Sequence, residues 1–283
     1  MRFVLLSHLR IQSMADLKQV AWMTDIHLDF IEDSNQIERF CRNIVEANPD
    51  AVLIGGDIAV AATVEESLLM LAKHLQRPIY FVLGNHDFYK GSIAGMRAKI
   101  AQLTKRASLL HWLSESGVIE LTPQTGLLGH DGWADGRLGN RVRSDVMLND
   151  YFLIQEFVGL APLRRFAKLS ELGDEAARYL KSQLLPAVTR FPNLILLTHV
   201  PPFKEACWFE RQISDDDFLP HFTCSAVGDV LVEIMRAHPD CRLTVLCGHT
   251  HGEGEATILP NLLVKTGGAE YGKPRLNELI VAD

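Results

Sequence analysis

Five short polar clusters in this sequence combine residue types that bind metal ions. They are Asp25-Ile26-His27, Gly55-Gly56-Asp57, Gly84-Asn85-His86-Asp87, His199, and Gly248-His249-Thr250-His251. A carboxylate and an imidazole two residues apart at a strand end can turn to the same side and offer one oxygen and one nitrogen to a single cation. Two histidines in i, i+2 spacing after a glycine make a chelating pair that packing rarely requires. Singly, each cluster has an ordinary reading. Asp-x-His suits a strand-end turn, Gly-Gly-Asp suits a βα turn with an Asx bond, and a lone histidine is usually a satisfied core residue. The joint pattern is harder to explain that way, because each cluster follows an apolar run and the ends of such strands can meet at one edge of a sheet.

The elements that must position these groups follow from the periodicity. Short apolar runs at 20–24, 51–54 and 79–83 read as strands, with helical periodicity at 35–47, 64–75 and 91–107 between and after them. This alternation marks βα units around a largely parallel sheet. Further on, 118–121, 126–130, 194–198 and 243–246 read as strands, as do short runs near 256–259, 262–265 and 276–281. Helical patterns fall around 150–158, 171–189 and 226–237. The glycine-rich stretch after 130 breaks the alternation, so we expect one domain over 14–283 with a loop or cap inserted around 130–170. Met14 lies just ahead of the first strong strand, which makes 1–13 a candidate N-terminal extension.

Composition limits the partners. A chain of 283 residues with 47% hydrophobic content can bury a sizeable core, and its formal charge of -7 argues against a dedicated nucleic-acid binder while leaving a local basic groove open. Five cysteines without a CxxC pair fit reduced thiols, hence a cytoplasmic protein. No run approaches the ~20 apolar residues that span a bilayer.

In their order, the five clusters resemble the calcineurin-like metallophosphoesterases, whose pattern is Asp-x-His, Gly-Asp, Gly-Asn-His-Asp/Glu, His, Gly-His-x-His. The resemblance covers roughly residues 20–270. It implies an α/β fold, a four-layered α/β/β/α sandwich of two mixed sheets with a dimetal site at the strand ends. It further implies that Asp25, His27 and His251 hold one divalent ion, that Asn85, His199 and His249 hold the other, and that Asp57 bridges them. His86 would stand beside the metals as a catalytic group. Two cations against Asp25, Asp57 and a hydroxide leave about one net positive charge for a phosphoryl group. Nitrogen and oxygen donors without cysteine suit Mn, Fe, Zn or Co. The expected activity is hydrolysis of a phosphate mono- or diester. The rivals are a DNA nuclease of the same superfamily and a non-catalytic scaffold on this fold, the latter disfavoured by the complete ligand set.

One departure stands out. Many relatives carry a second carboxylate three residues after the Gly-Asp aspartate to orient the histidine, and Val60 occupies that place here. Asp87 is then a candidate partner of His86 by adjacency. For substrate contact, Trp133 and Arg137 in the glycine-rich 130–141 stretch can stack on a base or clamp a phosphate, which suits a nucleotide or another organic phosphate; the equal alternative is a surface turn whose arginines are solvated and whose Trp133 caps the core. Phe203, Trp208 and Phe209 form either a pocket wall or a small hydrophobic cluster.

Overall fold

The computed structural model describes residues 19–283; the extension expected over 1–13 lies outside them. In the first part of the chain β1 (Gln19–Met23), β2 (Ala51–Gly55) and β3 (Ile79–Val82) alternate with α1 (Ser34–Glu46) and α2 (Val64–Leu75), and α3 (Ile93–Arg106) leads to β4 (Leu110–Trp112). α1 and α3 start where the chain supplies side-chain acceptors: Asp33 caps α1 through Asn35 N–H, and Ser92 caps α3 through Gly95 N–H. α4 (Leu113–Ser116), β5 (Ile119–Glu120) and β6 (Thr125–His130) follow.

An irregular stretch with one short helix, α5 (Asp150–Leu153), then runs to α6 (Pro162–Arg190) and β7 (Asn193–Thr198). The periodicity places the start of α6 near 171. The helix begins nine residues earlier because Pro162 occupies the first turn, where its missing N–H leaves no bond unmade. The hairpin of β8 (Trp208–Phe209) and β9 (Gln212–Ile213) precedes α7 (Leu219–Phe222) and α8 (Ser225–Ala237). β10 (Arg242–Cys247), β11 (Gly254–Leu259), β12 (Leu262–Thr266) and β13 (Glu278–Val281) close the chain.

Two mixed sheets result, in the orders β13-β1-β2-β3-β4 and β11-β12-β10-β7-β6-β5. The central pairs β1–β2, β2–β3, β7–β10 and β6–β7 are all parallel, so the carboxyl ends within each sheet lie at one edge. Side-chain alternation makes the layers. Val20, Trp22, Leu53, Tyr80 and Val82 from the first sheet meet Leu127, Ile195, Leu197 and Leu246 from the second in one buried cluster. The intervening residues Ala21, Met23, Val52, Ile54 and Phe81 point outward onto α1, α2 and α3. Leu194, Leu196, Val245 and Cys247 point the other way onto α6 and α8. Strands buried on both faces must be apolar throughout, which is why 51–54 reads as one unbroken run. The fold is therefore the α/β/β/α sandwich expected.

Candidate metal centre

All seven candidate ligands stand just beyond carboxyl ends of parallel strands. Asp25 and His27 follow β1, Asp57 follows β2, Asn85 follows β3, His199 follows β7, and His249 and His251 follow β10. The strand-end loops are latched both within the first sheet and across to the second. Asp25 N–H donates to Gly56 O at 3.0 Å and His27 N–H to Asp57 O at 3.0 Å, while His249 N–H reaches Asp25 Oδ1 at 3.0 Å. The glycines have a steric reason here. A Cβ on Gly84 would lie 2.2 Å from Asp57 Oδ1, and one on Gly248 would lie 2.0 Å from Asp25 Oδ2.

The i, i+2 pairs do not converge as an extended strand would make them. Asp25, His27, Asp57, His249 and His251 all have positive φ, between 39° and 70°. These are half of the ten non-glycine residues with positive φ among the described residues. Left-handed backbone costs an L-residue roughly 1–3 kcal/mol, and such strain gathers at functional sites. It curls the loops so that their polar side chains point back to the junction of the sheets.

The donor atoms form two groups that share Asp57. In the first, His27 Nε2 lies 3.2 Å from His251 Nε2, His251 Nε2 lies 3.4 Å from Asp25 Oδ1, and Asp57 Oδ2 lies 3.7 Å from His27 Nε2. One donor atom from each of these four residues falls within 4.8 Å of every other. In the second, Asn85 Oδ1 lies 3.0 Å from His199 Nε2 and 3.0 Å from His249 Nδ1, and Asp57 Oδ1 is 3.4 Å from His199 Nε2.

Protonation of the second group is decided by its outer contacts. His199 Nδ1 lies 2.8 Å from Gly55 O and His249 Nε2 lies 3.2 Å from His221 O, and a carbonyl can only accept, so these nitrogens carry the N–H. Burial pushes both imidazoles toward the neutral form, His249 down to about 3. Their inner nitrogens then aim lone pairs at Asn85 Oδ1, whose own amide N–H groups are engaged with Asp150 Oδ1 at 2.8 Å and Tyr89 Oη at 3.2 Å. Three acceptors converge with no proton among them, an arrangement that a cation relieves. Burial also pushes His27 down to about 3. Burial opposes charge on Asp25, but the imidazoles of His199, His251 and His27 outweigh it and hold this carboxyl below its ordinary range. Asp57 goes the other way, raised by burial and by the neighbouring Asp25 and Asp87 carboxylates. A nearby cation would reverse that shift.

His86 stacks on Tyr89 with ring centroids 4.2 Å apart, and its Nε2 lies 3.9 Å from Asp57 Oδ2. Burial holds it neutral, down to about 3. Asp87 is not its partner. Asp87 Oδ1 accepts from Ile58 N–H and Ala59 N–H at 2.9 Å each and Oδ2 accepts from Gly84 N–H at 2.8 Å, tying the Asp57 loop to the Asn85 loop. His86 Nδ1 is buried without a hydrogen-bond partner among the described residues.

The two residues considered for substrate contact lie away from the candidate ligands. Trp133 is buried, packed with ring centroids 5.6 Å from both Phe88 and Phe157. Arg137 is engaged at 3.1 Å by Asp135 and at 2.7 Å by Asp174. Neither lines the cavity above the ligands, which measures about 240 Å³. Its wall instead includes Tyr89, Leu148, Asp150, Phe209, Phe222 and Tyr271. Of these only Phe209 stands out in the sequence, through its aromatic neighbourhood. Tyr271, which packs on His27 at 4.5 Å and on His251 at 4.8 Å, carries no local signal.

Several solved structures share this fold at low identity. A phosphopantetheinyl hydrolase from Mycobacterium tuberculosis aligns at 14% identity over 95% of this chain and 96% of its own, with a TM-score of 0.66. A dimetal phosphatase from Danio rerio aligns at 14% identity over 89% of this chain and 87% of its own, TM-score 0.56. TT1561 of Thermus thermophilus aligns at 14% identity over 94% of this chain and 99% of its own, TM-score 0.54. No curated protein matches the chain. Its sequence does match the family model of the calcineurin-like phosphoesterases over residues 18–253, and the chain belongs to that family.

Proposed function

We propose that this protein hydrolyses an organic phosphate ester with two divalent cations, one held by Asp25, His27 and His251, the other by Asn85, His199 and His249, with Asp57 between them. The observation that carries this reading is the convergence of Asn85 Oδ1, His199 Nε2 and His249 Nδ1 at 3.0 Å with every competing N–H engaged elsewhere. When bound, the cations supply Lewis acidity toward the phosphoryl oxygens and toward the attacking water.

The chain's own residues do the rest. Among the described residues no Lys or Arg lines the cavity, so phosphoryl recognition falls to the cation sites and to N–H donors such as His86. His86, kept neutral by burial, offers a hydrogen bond at the reacting group or the departing oxygen. Phe209, Phe222, Leu148 and Tyr271 provide an apolar wall for the non-reacting part of the substrate. A diester or a monoester fits this description, including a nucleotide. The proposal takes 14–283 as one phosphoesterase domain with a loop or cap insertion around 130–170, in the cytoplasm, a reducing compartment that suits its five buried free cysteines.

The test combines elemental analysis with a rate screen. Protein saturated with Mn should approach two equivalents per chain. Mn- and Zn-loaded protein should be assayed on phenyl phosphate monoester and diester, a cyclic nucleotide and DNA, with chelation abolishing turnover. A folded chain that takes up no metal would favour the scaffold reading. Turnover of DNA alone would favour the nuclease.

A further inference from the structure

We propose that Asp150, contributed by the irregular 131–161 stretch, is a positioning residue that fixes the orientation of the Asn85 amide and thereby sets the affinity of the cation site formed by Asn85, His199 and His249. This rests on the metal-site reading above and goes beyond it, since no part of the motif pattern includes Asp150.

An asparagine amide presents nearly the same shape in two orientations, and only one of them turns its oxygen toward a cation. What selects the orientation is the partner on the far side. Asp150 is buried at 4% exposure, and its Oδ1 accepts from Asn85 Nδ2 at 2.8 Å and from Tyr89 Oη–H at 2.7 Å. The same Tyr89 hydroxyl accepts from Asn85 Nδ2 at 3.2 Å. Asp150 Oδ1 is already the acceptor of the Tyr89 hydroxyl proton, so the flipped amide would set Asn85 Oδ1 against it and leave two acceptors facing each other in a buried place. The native orientation instead draws electron density toward Asn85 Oδ1, which strengthens it as a donor to a cation.

The carboxylate is itself held rigidly. Lys90 N–H donates to Leu153 O at 2.7 Å and Gln155 N–H to Gly91 O at 3.0 Å, which joins the α5 segment to the loop that follows Asn85. Glu156 takes Ile93 N–H at 2.9 Å and Ala94 N–H at 3.2 Å, fastening the same segment to the start of α3. Tyr89 links both functions, because its ring stacks on His86 while its hydroxyl completes the Asp150 contact.

The experiment is a stepwise Mn titration of the full-length, chelator-stripped protein by calorimetry, comparing wild type with Asp150→Asn, which keeps the shape and puts an amide where the carboxyl stood. The step belonging to the Asn85 group is identified as the one lost in Asn85→Ala. In Asp150→Asn that step should weaken by about tenfold to a hundredfold, the range known for outer-sphere partners of metal ligands. The other step should change little. A purely structural role would lower the melting temperature and leave both affinities where they were, and that result overturns the proposal, as does equal weakening of both steps. Should Asp150→Asn fail to fold, Asp150→Ser carries the same comparison with a smaller uncharged side chain. Wild-type protein that binds fewer than two ions would reject the metal-site reading itself, a failure visible before any Asp150 variant is compared.

Discussion

His27 Nε2 and His251 Nε2 face each other at 3.2 Å across the mouth of the first donor group, with His27 fully buried. Two imidazole nitrogens at this distance have room for only one proton between them, and His27 Nδ1 on the other side of the ring is buried without a hydrogen-bond partner among the described residues. The arrangement leaves one ring nitrogen unsatisfied, at a cost of roughly 1–3 kcal/mol. A cation between the two Nε2 atoms turns their opposition into shared coordination. Adding Mn to the chelated protein should therefore raise its melting temperature, with about 2.7 kcal/mol of stabilisation per site at a free concentration a hundred times the dissociation constant. Scanning fluorimetry with and without chelator measures this directly; an unchanged melting point would remove the basis for the paired assignment.

Acid should weaken the metal-free fold, and His221 isolates one contribution from a ring outside the candidate ligand set, its contact with His249 being made by the backbone carbonyl. This ring is buried, with Nε2 3.0 Å from Ser144 Oγ and Nδ1 bonded to the Tyr151 hydroxyl, and burial together with Arg165 pushes it down to about 4. Its folded value is below the unfolded value of 6.5, so between these limits the unfolded chain binds the extra proton. The contribution is complete above pH 6.5 and disappears as the pH falls toward 4. From pH 7 to pH 5 that amounts to about 2 kcal/mol, at 1.36 kcal/mol per unit below 6.5. Urea unfolding of the chelated protein at both pH values should show His221→Gln losing about that much less stability than wild type on acidification. The subtraction matters because Asp57 runs in the opposite sense, its raised carboxyl favouring the folded state as the pH falls.

How much of this is legible in the sequence differs sharply between the site and its surroundings. The ligand motifs can be read because buried parallel strands are unbroken apolar runs, and a polar cluster at the end of such a run stands out. The geometry of the i, i+2 pairs cannot: left-handed φ at both members brings them together, where strand alternation alone would predict an extended backbone, and residue type does not announce backbone strain. β4 and the β8–β9 hairpin have three residues or fewer per strand, too short for periodicity to register. Asp150 is a lone carboxylate in an irregular stretch whose partners, Asn85 and Tyr89, are more than sixty positions away. Nothing local marks such a residue.

Trp133 and Arg137 show the converse ambiguity, in which a glycine-rich stretch with an aromatic and a cation reads equally as a ligand loop and as a plain surface turn. Trp133 fills the space between Phe88 and Phe157, and Arg137 closes a surface ion pair with Asp174 and a contact to the buried Asp135. Arg137→Ala should leave KM for the preferred substrate unchanged. Trp133→Ala should cost about 3–5 kcal/mol of stability, as large aromatic deletions in cores do. Steady-state kinetics and urea unfolding on the two variants separate these effects. A raised KM in Arg137→Ala would restore its place in substrate binding.

His86 offers the sharpest test of chemistry as distinct from metal binding. Its ring faces the cavity between Tyr89 and His27, and Asp57 Oδ2, at 3.9 Å from Nε2, is the one carboxylate oxygen within 4.0 Å of its ring nitrogens among the described residues. Val60 stands where many relatives supply an orienting carboxylate, and Asp87 is fully engaged by three backbone N–H groups, so neither orients this imidazole, and the pull of the Asp25 carboxylate toward the protonated form is outweighed by burial. Burial keeps it neutral. A neutral N–H assists a departing oxygen by hydrogen bonding more than by full proton transfer, which places its effect at the lower end of acid catalysis, about 10² in rate. Such help matters most when the leaving alkoxide is strongly basic and least for a stabilised nitrophenolate. His86→Gln should keep both cations by elemental analysis and lose about a hundredfold in kcat/KM on an alkyl or nucleoside ester, with a much smaller loss on the nitrophenyl ester. Equal losses on the two esters would move His86 from the leaving oxygen to the non-bridging phosphoryl oxygens, and loss of a cation would make it part of the ligand network instead.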